Sequence, residues 1–97
     1  MTDTEQTQIE AAVYRRLRDH LRARTDLQNI DLMILADFCR NCLGKWYHAA
    51  AEELGVNIDA NEARDTVYGM PYSEWKAAHQ LPATEEQMAA FAARQKN

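Results

Sequence analysis

Residues 29–55 read NIDLMILADFCRNCLGKWYHAAAEELG, and the reading of this stretch decides the fold. Placed at about 100° per residue, Leu35, Phe38, Cys39, Cys42, Leu43, Trp46, Tyr47, Ala50 and Leu54 share one half of a helical cylinder. Asp37, Arg40, Asn41, Gly44, Lys45, His48 and Glu52 occupy the other half. Near the start, Ile30, Leu32, Met33 and Ile34 carry the apolar character further round. The spacing predicts one long helix that begins at Asn29 to Asp31, whose short polar side chains cap free amides. It ends at Gly55, a residue able to take the left-handed conformation after a helix end. Such a helix is expected to be central and covered on more than one side.

The flanking sequence is also helical in pattern. Ile9, Val13, Leu17 and Leu21 recur every fourth residue, with Ala12 beside them, so a first helix is expected from about Thr4 to Arg24. Asp59 with Glu62 three residues on has the capping-box spacing and opens a helix from Ala60 to Tyr68, closed by Gly69. Pro71 suits the first turn of a short helix from Tyr72 to His79. After Leu81-Pro82, Thr84 with Gln87 repeats the capping box before a last helix carrying Met88 and Phe91. β-branched residues are few and do not alternate, so no sheet is expected. The predicted fold is all-α: one domain over residues 1–97, of about five helices around a long central one, with residues 1–4 disordered. A chain this short buries only about two-thirds of its unfolded surface. The wide apolar surface of the central helix therefore points to packing as a homodimer.

Composition removes several function classes. The 97 residues carry a formal net charge of −4, against the basic patch that nucleic-acid binding requires. The one basic cluster, Arg15, Arg16, Arg18, Arg22 and Arg24, is interleaved with Asp19 and flanked by Glu10 and Asp26, which reads as a solvated helix face. No apolar run approaches the roughly 20 residues that span a bilayer. The polar start, Met1-Thr2-Asp3-Thr4-Glu5, resembles neither a secretory signal nor a transit peptide. The expected location is the cytoplasm, where Cys39 and Cys42 would be reduced.

Cys39 and Cys42 are the residues with the most chemical potential, and three readings compete. As a thiol-redox pair they would need a sulfur at a helix N-terminus, whereas the predicted helix places Cys39 two turns inside. As half of a zinc-like tetrahedral shell they would need two more ligands, from His20, His79 or the cysteines of a symmetric partner. His20 lies near Val13 and Leu17 and is able to face the core; His48 lies across the helix from both sulfurs. As buried small apolar residues between Leu35 and Trp46 they need nothing further, and this packing reading is preferred. On that basis no cofactor is expected, with zinc or another divalent metal as the alternative. The opposite strip, Asp37, Arg40, Asn41, Lys45 and His48, is a candidate polar surface for an anionic ligand, with Asp37 able to pair with Arg40. His48 has no nucleophile beside it, so hydrolysis has no support. The aromatic and sulfur-rich segment from Tyr68 to Lys76 reads as a packed corner whose turn is set by Gly69 and Pro71.

Three strings, Asn29-Ile30-Asp31-Leu32-Met33, Cys39-Arg40-Asn41-Cys42-Leu43 with Trp46-Tyr47, and Tyr68-Gly69-Met70-Pro71-Tyr72 with Glu74-Trp75-Lys76, resemble the domain of unknown function 1244 family. That resemblance implies a compact helical bacterial protein and supplies no catalytic or binding residues. The function expected from the chain is a small non-enzymatic interaction or regulatory protein working as a homodimer. The alternative is a metal-binding protein using Cys39 and Cys42, with a thiol-redox protein behind it.

Overall fold

The computed structural model describes residues 1–94. Six helices follow one another: α1 (Asp3–Ala23), α2 (Asn29–Ala36), α3 (Arg40–Glu53), α4 (Ala60–Tyr68), α5 (Tyr72–His79) and α6 (Glu85–Arg94). The fold is all-helical, with no strand among the described residues. No helix among them is long and apolar enough to cross a membrane.

Most boundaries follow from local chemistry. Thr2 closes a full capping box with Glu5, so α1 starts at Asp3, ahead of the expected Thr4. Asp59 accepts from the Glu62 amide at the start of α4. Gly69 ends that helix at φ 75°. Thr84 and Gln87 form the reciprocal box ahead of α6.

The long central helix is where expectation and structure part. The stretch divides into α2 and α3 at Asp37, which adopts the left-handed conformation at φ 59°. Its amide still bonds back to the Met33 carbonyl, ending α2, and Cys39 is fully extended as the N-cap of α3. Asp is one of the few non-glycine types that visits this backbone region, and neither Gly nor Pro marks the break. The turn re-aims α3. Its buried residues are Arg40, Leu43 and Gly44, two of which belong to the expected polar half. Trp46, Tyr47 and Leu54 of the expected apolar half are exposed, as is Leu35 on α2.

Packing explains the rotation. Helices α3 and α4 cross at Gly44, where a Cβ would stand 2.8 Å from the Arg64 Cα. Only glycine allows that approach, so the α4 side is the one that becomes buried. The core is Leu21, Leu32, Cys39, Leu43, Val67, Tyr68 and Trp75, with Leu27, Met33, Phe38, Cys42 and Tyr72 packed against it. The Tyr68–Lys76 segment is the expected corner: Tyr68 packs at a tilt against Tyr72 and Trp75, with ring centroids 5.1 and 5.0 Å away. Gln28 ties this corner to α2, donating to the His79 carbonyl and accepting from the Leu81 amide. Helix α6 lies on α2 through Gln87 to Asp31 (2.9 Å) and Arg94 to Asp37 (2.7 Å). The expected Asp37–Arg40 pair is thus replaced by Asp37–Arg94.

Candidate functional site

The junction of α2 and α3 gathers the distinctive residues. Cys39, as N-cap, turns its side chain into the core, and Cys42 sits one turn on, at the third position of α3. Their sulfurs are 3.7 Å apart, and Cys42 Sγ is 3.9 Å from Met33 Sδ. Both thiols are free. The expected position of Cys39 two turns inside a helix is therefore corrected: it stands at a helix start. Burial pushes the Cys39 thiol up from its ordinary value, opposed by the backbone amides of Cys42 and Asn41. Desolvation outweighs the helix terminus.

Arg40 departs furthest from its expected place on a solvated strip. It is 2% exposed. Its guanidinium donates to the carbonyls of Leu27 (2.7 Å), Arg24 (2.8 Å) and Leu21 (3.3 Å) and to Asn29 Oδ1 (3.0 Å). The Leu21 and Arg24 carbonyls also accept from the backbone amides of Arg24 and Leu27, so Arg40 gives each a second hydrogen bond. The cation also lies 4.8 Å from the centroid of a Trp75 ring. Burial lowers the pKa of Arg40, yet a guanidinium stays charged in proteins. Asn29 extends the network: its amide donates to Tyr68 Oη (3.1 Å), and Tyr68 in turn donates to Asn41 Oδ1 (2.6 Å). Burial raises the Tyr68 phenol far above its ordinary value. Each of the four residues Cys39-Arg40-Asn41-Cys42 thus has a separate inward contact.

The other candidate residues scatter. Asn41, Lys45 and His48 do share one feature, a cleft of about 310 Å³ completed by Gly44, Ala60, Asn61 and Arg64. Lys45 and Arg64 bring positive charge to it, with Arg64 Nε 3.7 Å from Asp65 and His48 Nε2 3.6 Å from Glu52. Asp37 belongs elsewhere, to Arg94. His20 is exposed on α1, against the expectation that it faces the core. His79 packs on Trp75 with ring centroids 5.5 Å apart. Among the described residues no three His, Cys, Asp or Glu side chains converge as a metal-holding group, so the structure does not bring His20 and His79 to the cysteines. Met33 joins the sulfurs although sequence reasoning passed over it. Its only signal was its place near the start of the same stretch, and a helix break hides that proximity.

The profile of the family described as "Protein of unknown function (DUF1244)" matches residues 27–93. The chain belongs to this family. No curated protein matches it. The matched span starts at Leu27 and takes in the sulfur cluster, the Arg40 cage and the Tyr68 corner, and it leaves α1 outside.

Proposed function

We propose that the protein is a non-enzymatic helical interaction module that works as a homodimer, with a second copy covering α1 and the neighbouring face of α3. The observation that carries this reading is the exposed apolar surface on those two helices. Ile9, Val13 and Leu17 on α1 are 53%, 64% and 39% exposed, while Leu21, the last of the stripe, is buried. On α3 and just after it, Trp46, Tyr47, Leu54 and Val56 are exposed. Tyr14 joins the two surfaces, its ring centroid 6.4 Å from that of Tyr47. A patch of this kind exceeds the scattered apolar residues of an ordinary surface.

Charge favours a second copy as the occupant. The first half of α1 carries Asp3, Glu5 and Glu10, and its second half carries Arg15, Arg16, Arg18 and Arg22 against the single acid Asp19. Antiparallel pairing of two α1 helices sets each acidic half beside a basic one. Val13 is the midpoint of the Asp3–Ala23 helix, so in a two-fold pair it meets its own copy at the axis.

Sedimentation velocity at micromolar concentration tests the reading. The expected result is a species of twice the 11.1 kDa chain mass, converted to monomer by Val13→Glu, which opposes two carboxylates at the axis. Monomeric wild-type protein, or a Val13→Glu variant as dimeric as wild type, overturns it. Val13 is exposed within the chain, so the substitution leaves the monomer's own core intact.

A further inference from the structure

Three sulfur atoms meet where α2 turns into α3, and the proposed dimer makes no use of them. Cys39 Sγ to Cys42 Sγ is 3.7 Å, and Cys42 Sγ to Met33 Sδ is 3.9 Å. Two sulfurs each about 2.3 Å from one metal ion stand about 3.8 Å apart in a tetrahedral shell and about 4.0 Å apart in a trigonal one. Both observed separations match those of sulfurs bound to one ion.

Residue type decides which ion. Zinc takes four ligands from thiolate, imidazole and carboxylate, and no third residue of those types joins the pair among the described residues. A thioether is a soft ligand that, together with thiolates, selects monovalent copper. We propose that Met33, Cys39 and Cys42 form a three-coordinate, all-sulfur binding site for a single Cu(I) ion.

The binding step balances without electron transfer. As each sulfur–copper bond forms, the cysteine S–H gives its proton to solvent; one Cu⁺ and two thiols yield a bis-thiolate centre of net charge −1 and two released protons. Met33 donates a lone pair and stays neutral. The surroundings suit an anion. Arg40, next in sequence to Cys39, is a buried cation with no carboxylate partner among the described residues, and the start of α3 presents its amides to the same sulfur. Cys39 is buried, whereas Cys42 and Met33 are half-buried, so the ion enters past the latter two.

The test is an anaerobic titration of the reduced full chain with Cu(I) in competition with bicinchoninate. The expected result is one Cu(I) withdrawn per chain, with a near-ultraviolet thiolate-to-copper absorption band and two protons released into weak buffer. Cys42→Ser abolishes withdrawal, and Met33→Leu, which conserves side-chain volume, weakens it by about tenfold or more. Circular dichroism confirms that both variants fold. Under the same conditions Zn(II) stays with a competing zinc indicator. Failure to withdraw Cu(I), unchanged affinity in Met33→Leu, or Zn(II) held as tightly as Cu(I) each overturns the proposal. All three ligands come from one chain, so the Val13→Glu variant keeps the site, and loss of the dimer is distinguishable from loss of copper binding.

Discussion

Arg40 concentrates the energetics of the fold in one side chain. Its guanidinium gathers the carbonyls of Leu21, Arg24 and Leu27 and the Asn29 side chain, joining the end of α1, the following loop and the start of α3. Hydrogen bonds to a charged group are worth about 1.5–3 kcal/mol each, and a buried carbonyl left alone carries its own desolvation cost. Arg40→Met, which keeps much of the stem's packing, is therefore expected to lower stability by about 3 kcal/mol or more, read as a reduced urea midpoint. Cys39 and Tyr68 give the residue scale a pH dependence. Burial raises both above their ordinary values of 9.0 and 10.0. The unfolded chain sheds these protons first, so the folded state binds more protons in alkali and stability falls as pH rises. The expected loss begins near pH 9.0 through Cys39 and steepens above pH 10.0 through Tyr68. Urea titrations across that range check it, and Tyr68→Phe should flatten the upper part, leaving the share from Tyr14, whose phenol is also raised by burial.

At the scale of elements, two residues determine how α3 is used. Asp37 in the left-handed region separates α2 from α3, and Gly44 lets α4 approach the face so exposed. Gly44→Ala brings two opposed effects. Alanine favours a helix interior over glycine by about 1 kcal/mol. Its Cβ, however, would stand 2.8 Å from the Arg64 Cα, a backbone atom that cannot rotate away. Such overpacking costs about 1–3 kcal/mol, so a net destabilisation of about 1–2 kcal/mol is expected in thermal or urea unfolding. A stabilised Gly44→Ala protein would show that the α3–α4 crossing relaxes freely. The same crossing accounts for the exposed Trp46, which lies about 160° round α3 from Gly44 and so faces away from α4.

The whole molecule carries the mark of that unmet packing. Its radius of gyration is 15.3 Å, against about 12.5 Å for a compact chain of this length, and it extends 48 × 32 × 24 Å. Much of the excess lies in α1, whose residues from Asp3 to Glu10 are all exposed. Four residues turn a helix by about 400°, so the apolar stripe drifts about 40° at each step away from buried Leu21 and leaves the core behind. In the proposed dimer a second copy would restore the burial that the single chain lacks. Mass action then makes the unfolding midpoint of wild-type protein rise with concentration, while that of Val13→Glu stays constant. A wild-type midpoint independent of concentration would count against the dimer.

The helical class, the caps at Asp59 and Thr84, the stops at Gly55 and Gly69 and the packed corner at Tyr68–Trp75 were legible in the sequence, because each depends on residues within a turn of one another. The sequence also singled out Cys39 and Cys42. What it concealed was orientation. A period of 3.6 residues runs unbroken through Asp37, and nothing local announces that an aspartate will take a left-handed conformation there. Tertiary structure alone decided that Arg40 is caged and Trp46 exposed, since both depend on where α1 and α4 arrive. It alone brought Met33 to the two cysteines, because the turn at Asp37–Cys39 folds the start of α3 back towards α2. Local hydrogen bonding determined which segments are helices; the approach of α4 to Gly44 determined which of their faces became the interior.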